Sequence, residues 1–294
     1  MKTKTNYKKI GEYWLFTGPA VFFFFLIVVI PFVMGMGYSF TDWNGVSSDP
    51  NMVGLSNFTH IFTDDPLFRD SFSFTLRFTV TAVILTNVIG FGLALLVTSY
   101  LKTQNMLRTA FFIPNVIGGL ILGFIWHFIF TKGFPSFGNL TGIEALKTPW
   151  LGDASTAFWG LVIVFAWQLS GYMMVIYIAA LQGIDQSLLE AAKIDGANSV
   201  QRLRVIVIPL IAQAFTICLF LTISHAFKIF DINYALTGGG PFQSTESLTI
   251  HIYEEAFRNN RYGIGAAKAF IFFLAVAAIT IIQVSLTKRK EVEM

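Results

Sequence analysis

Charge is scarce in this sequence. Asp, Glu, Lys and Arg together make up 13% of its 294 residues, where a soluble globular chain carries about a quarter. That deficit excludes an ordinary water-facing surface. Cysteine is nearly absent: Cys218 stands alone inside an apolar run, so neither a disulfide framework nor a thiolate metal centre is available. The formal net charge of +3 is small and dispersed, which argues against nucleic-acid binding. A phosphate-binding loop is also missing. Gly238, Gly239 and Gly240 run into Pro241 rather than into Gly-Lys-Ser/Thr. No clustered His and carboxylate set stands at metal-ligand or catalytic spacing, which disfavours a membrane enzyme. What the chain has in abundance is apolar surface: 54% hydrophobic residues and 32 phenylalanines, with a mean hydropathy of +0.64. It reads as an integral membrane protein.

Crossing a bilayer takes about 20 residues of helix. Stretches free of acidic and basic residues and long enough to do so lie within 13–41, 78–101, 109–131, 154–184, 205–227 and 269–287. The first follows a basic amino terminus, yet its apolar region is too long for a signal peptide and no small-residue cleavage pattern follows it. It is expected to be a retained span. With the amino terminus inside, the inner segments hold Lys2, Lys4, Lys8, Lys9, Lys102, Arg108, Lys193, Arg202, Arg204, Lys288, Arg289 and Lys290. The outer segments hold Asp42, Asp49, Asp64, Asp65, Asp70, Glu254 and Glu255. The positive-inside rule therefore predicts both termini in the cytoplasm. The expected fold class is all-α: a polytopic membrane protein with six transmembrane helices, forming a single domain over 1–294 with its core at about 75–287.

Between the fourth and fifth stretches lies a water-facing loop, 185–204. Asp185 is placed to cap a short helix on which Leu188, Ala191 and Ala192 share a face. Gly196 ends it, and Asn198 with Gln201 three residues on makes a second capping signal. The next helix is expected to run through Arg202 and Arg204 straight into the fifth span. The spacing Glu190-Ala191-Ala192, three residues, Gly196, nine residues, Ile206, one residue, Ile208-Pro209 closely resembles the coupling loop of binding-protein-dependent ABC importer permeases. Ile208 departs mildly from that family's usual Leu, and a proline often found further on is missing.

Polar residues inside the spans are the remaining candidates. Gln168 and Tyr172 lie four apart on one helical face, and Thr222 and His225 are three apart in the next span. Polar groups at membrane depth turn inward, where they either line a pathway or tie helices together. Gly119 and Gly123 form a small-xxx-small pair suited to close helix packing. The outer segment Leu236-Thr237-Gly238-Gly239-Gly240-Pro241 resembles the LT-GGP signature of the sugar-type permeases. After it, 248–257 reads as a short amphipathic helix with Glu254 and Glu255 on its polar side, ended by Gly263 and Gly265.

The resemblance implies the type I ABC importer permease fold and a role in carbohydrate import, oligosaccharides within it. Glycerol phosphate carriers share the same features. It implies a bacterial plasma-membrane location, a second homologous permease subunit, two ATP-binding subunits and an extracellular solute-binding protein. This chain would hold no cofactor of its own, since ATP and Mg would be bound by the partner subunits. Gln168, Tyr172, Thr222 and His225 become expected substrate contacts, and Glu190, Ala191, Ala192, Asp195 and Gly196 the expected ATPase contact. A secondary transporter or channel is the competing expectation. It is weakened because the six stretches hold no acidic residue to serve as a relay.

Overall fold

The computed structural model describes residues 7–98 and 103–288. Lys2, Lys4, Lys102, Arg289 and Lys290, counted above for orientation, lie outside them. The principal helices are α1 (Tyr13–Tyr38), α2 (Ser56–Thr63), α3 (Pro66–Thr98), α4 (Gln104–Val116), α5 (Gly119–Thr141), α6 (Ala154–Gln182), α7 (Gln186–Ile194), α8 (Ser199–Leu210), α9 (Ala212–Phe227), α10 (Asp231–Leu236), α11 (Leu248–Tyr253) and α12 (Tyr262–Lys288). Among the described residues the β contribution is one isolated bridge, Thr41 with Met52. Five of the helices are long and apolar enough to cross a membrane, and the bent pair α8–α9 makes a sixth when counted as one span.

Two stretches read as single spans are broken. The stretch 109–131 is cut at Ile117 and Gly118, where extended backbone separates α4 from α5. The stretch 205–227 is cut at Ile211, where α8 and α9 meet at 71°. Both breaks follow a proline, Pro114 and Pro209, by two or three residues. A proline lacks the amide that would bond back along the helix and crowds the carbonyl four residues earlier. Elsewhere the helix survives proline by widening. The π turns Phe25–Val29 and Ile129–Gly133 each end two residues before a proline, Pro31 and Pro135, and there the helix runs on. A wide turn makes room for the ring without ending the helix.

The chain divides into two compact units, Met1–Asp65 with Ile252–Ile271, and Pro66–His251 with Phe272–Met294. In the second, α6 is the central helix, with 67% of its most apolar window buried. It crosses α3 at Gly90, where an added Cβ would stand 2.8 Å from the Met173 Cβ. Lipid removes the hydrophobic drive between helices, so such close approach, with its dispersion contacts, is what holds them. Gly119 and Gly123 serve α5 in the same way against Asp231 and Ala235 of α10. His127 donates from Nδ1 to the Leu236 carbonyl at 2.8 Å across that contact.

In the first unit, Asn57 of α2 is buried. Its amide donates to the carbonyls of Ser39 (2.9 Å) and Thr41 (2.8 Å), which anchors α2 to the end of α1. Gly263 and Gly265 do not end a helix, as expected; they lie in the first turn of α12. A side chain at Gly263 would strike the Thr41 carbonyl, and one at Gly265 would reach Ala256. The preceding helix stops instead at Asn259 and Asn260, the latter with φ of 52°.

Candidate functional site

The loop between α6 and α8 is a rigid elbow. Asp185 accepts the Ser187 amide at 2.9 Å and starts α7. That bond holds the Asp185 carboxyl below its ordinary range. At the other end, the Ala197 amide bonds to the Ala192 carbonyl (2.9 Å) and the Gly196 amide to that of Lys193 (3.2 Å). This pair of bonds is a Schellman motif, and Gly196 sits in its left-handed position at φ 83°. Two residues on, Asn198 and Gln201 close a reciprocal capping box at 2.9 and 2.8 Å. Helix end and helix start are thus both satisfied within a handful of residues, leaving the joint little freedom. Ile184 and Val207, both buried, fasten the elbow to the core.

Among its polar residues the elbow presents large aliphatic side chains outward. Ile194 is 86% exposed and Val205 73%. Between the two helices lies a notch of about 430 Å³ lined by Ala192, Asp195, Gly196, Ala197, Gln201, Arg202, Val205 and Ile206. Glu190 and Ala191 are exposed beside it, and among the described residues Glu190 makes no ion pair. Exposed aliphatic side chains around a notch suit docking of a complementary protein surface.

The four polar residues expected to contact substrate meet different fates. Gln168 donates to the Ile117 carbonyl at 3.0 Å and so satisfies the group orphaned by the α4–α5 break. Thr222 is fully buried; it accepts from Asn87 and donates to the Cys218 carbonyl. In this arrangement it ties helices together, its hydroxyl engaged in both bonds. Tyr172 is half-buried against the core. His225 is exposed and donates from Nδ1 to the Leu221 carbonyl at 2.9 Å. None of the four lines a cavity of about 890 Å³ in this unit, whose walls include Asp70, Ser71, Arg77, Gln243 and Ser244 with Phe74 and Phe158. That wall joins the start of α3 to the loop after Pro241, two segments that sequence spacing alone does not connect. The loop is clasped by Asn233, which donates to the Thr245 carbonyl at 2.8 Å, and by Thr245, which donates to Gly240. At its tip Phe242 is wholly exposed.

Two buried polar clusters had no counterpart in the sequence reading. The first unit holds Lys268, fully buried, between Asp65 and Glu255 at 2.6 Å each. Arg261 adds a second bond to Glu255 at 3.2 Å. Glu255 was expected on a solvent face and is instead nearly enclosed. Burial pushes its carboxyl up, but the bonds from Lys268 and Arg261 outweigh that and hold it below its ordinary value. The second unit holds Asn87, whose amide oxygen accepts the Tyr177 hydroxyl at 2.7 Å. Asn87 is the sole amide side chain in the stretch 78–101. That lone polar group was the available signal.

Long apolar helices, two of them interrupted after a proline, and a notched elbow between them are the features of a membrane-embedded permease subunit. The chain belongs to the family of binding-protein-dependent transport system inner membrane components, which matches residues 86–292. Over 100% of both chains it is 49% identical to the "Probable starch degradation products transport system permease protein AmyD" of Thermoanaerobacterium thermosulfurigenes. It is 32% identical to the multiple sugar-binding transport system permease protein MsmF of Streptococcus mutans, over 97% of this chain and 99% of that one. The sn-glycerol-3-phosphate transport system permease protein UgpA of Agrobacterium fabrum is 32% identical over 85% of this chain and 84% of its own. Among solved structures, a bacterial ABC transporter that imports alginate contains a chain of the same fold. It aligns with a TM-score of 0.83 over 96% of this chain and 98% of that chain, at 19% identity. The fold is that of ABC importer permeases.

Proposed function

We propose that this chain forms half of the pathway of an ATP-driven oligosaccharide importer. The elbow docks on an ATP-binding subunit, a homologous permease supplies the other half, and an external solute-binding protein delivers the sugar. The single observation that carries this reading is the elbow. Its Schellman turn and capping box rigidify a segment whose exposed Ile194 and notch need a partner. The relatives named for starch products and multiple sugars support the carbohydrate class. The crowding of basic residues in the segments on the elbow side supports a cytoplasmic location for it and both termini. ATP and Mg belong to the partner subunits, because this chain has no phosphate-binding loop. Glu190, Ala191, Ala192, Asp195 and Gly196 form the ATPase contact, the small alanines allowing close approach. Tyr172 and His225 contribute solute contacts within the pathway. The large cavity is its outer opening, where hydroxyl, amide and guanidinium groups beside phenylalanine faces suit a saccharide.

The test is Gly196→Val in the reconstituted complex. A Cβ there meets nothing within 4 Å, so the penalty is conformational, on the order of 1–3 kcal/mol. ATPase co-purification falls, or hydrolysis uncouples from uptake, while the helices still insert. Unchanged association with normally coupled uptake refutes the elbow's role. Uptake of labelled maltodextrin against labelled glycerol 3-phosphate decides the substrate class.

A further inference from the structure

Three helices meet at one side chain. Asn87 on α3 accepts the Tyr177 hydroxyl of α6 (2.7 Å). Its amide nitrogen donates to Thr222 Oγ1 of α9 (2.9 Å) and to the Val83 carbonyl of its own helix (2.9 Å). The Thr222 hydroxyl in turn donates a hydrogen bond to the Cys218 carbonyl at 2.7 Å. Both amide hydrogens, the amide oxygen and both hydroxyl protons are used, and all three side chains are buried. A closed polar network in a low-dielectric interior specifies one arrangement of its members. One turn further along, Phe91, Tyr177 and Phe215 form a ring triangle with centroids 5.0–5.3 Å apart. It joins the same three helices.

The identity of those helices carries the inference. α6 leads into the elbow and α9 leads out of it, past the 71° bend. α3 has no direct chain connection to the elbow, and its first turns, Leu67 to Thr81, wall the large cavity. We propose that Asn87 is a positioning residue that locks both arms of the elbow to α3, so that a displacement of the elbow reaches the cavity wall as motion of one body. Without the lock, α6 and α9 would shift past α3 and the wall would stay behind. The proposal rests on the reading of the elbow as the ATPase contact.

Three variants in the full complex, reconstituted with its ATPase subunits in proteoliposomes, test it. Asn87→Leu keeps the branched outline of the side chain, adds some bulk and removes every bond; Tyr177→Phe and Thr222→Val remove one hydroxyl each. Single hydrogen bonds between membrane helices contribute modestly to stability. Assembly and thermal midpoint therefore change little, while ATP hydrolysed per solute imported rises about fivefold or more in Asn87→Leu. Tyr177→Phe gives a smaller rise, and the double variant with Asn87→Leu is no worse than Asn87→Leu alone, because both act through one node. An unchanged ratio in Asn87→Leu and Tyr177→Phe overturns the proposal. So does a loss of import that merely tracks loss of assembled complex. If Asn87→Leu does not assemble, Tyr177→Phe decides alone, since its ring and the triangle remain. A second readout needs no transport: spin labels on α3 and α9 in the permease should give a narrow distance distribution that broadens in Asn87→Leu. A distribution equally narrow in the variant also overturns the lock. Broadening, together with an unaffected Gly196→Val complex, would leave the lock standing and refute the elbow reading instead.

Discussion

The two buried polar nodes solve the same problem with different chemistry. Around Lys268, full charges are paired: one ammonium faces two carboxylates and a guanidinium closes the set. Around Asn87, every group is neutral and every hydrogen has an acceptor. A charge in a hydrocarbon surround is costly, and its attraction to a partner repays that cost only with good geometry. A neutral amide is far cheaper to bury and also cheaper to break. The difference teaches where each node fits. The charged one pins Asp65 and Glu255 to the start of α12, outside the apolar stretch 269–287. The neutral one sits within the apolar runs of α3, α6 and α9, where helices must be held without being welded.

The largest expected effect falls on the charged node. Lys268→Met leaves two buried carboxylates facing each other and destabilises the chain by about 3–5 kcal/mol at neutral pH. Denaturation in detergent measures the loss, which shrinks as acid protonates the carboxylates. A loss that does not shrink in acid would break the contrast. Next comes Glu255→Gln, about 1.5–3 kcal/mol, since Asp65 still holds Lys268. Because Glu255 is held below its ordinary value of 4.5, its contribution is complete above that value and is lost as pH falls through the lowered one. The difference between Glu255→Gln and the parent should therefore vanish on acidification. Asn198→Ala removes half of the capping box and costs about 1 kcal/mol, read locally as faster amide exchange in α8. Smallest is Tyr177→Phe, about 0.6 kcal/mol and flat between pH 5 and 8. A pH-dependent Tyr177→Phe effect would show that the Asn87 node is not the neutral one its bonds describe.

Much of this was legible in the sequence, for identifiable reasons. The elbow was, because caps and turns are local: Asp185, Gly196, Asn198 and Gln201 act on neighbours within a few residues. The crossings were legible from composition, yet the breaks at Ile117 and Ile211 were not. A proline either stops a helix or is absorbed by a π turn, and hydropathy does not distinguish the two outcomes. The bond between Thr222 and Asn87 was not legible because the two lie 135 residues apart. Lys268 escaped notice for a related reason. Its partners are distant in sequence: Asp65 read as an acid of the first outer segment, and Glu255 as part of the polar side of a short helix.

Gly196 has a consequence for handedness. Its backbone lies where L-residues are strained, and the space around its missing side chain is empty. Those two facts together make it a mirror-image position. A D-alanine introduced there by semisynthesis would adopt φ of 83° willingly, while removing some freedom from the unfolded loop. L-Ala and D-Ala at this one position carry identical atoms, identical volume and identical polarity. Any difference between the two proteins in their grip on the ATPase is then a measurement of chirality alone.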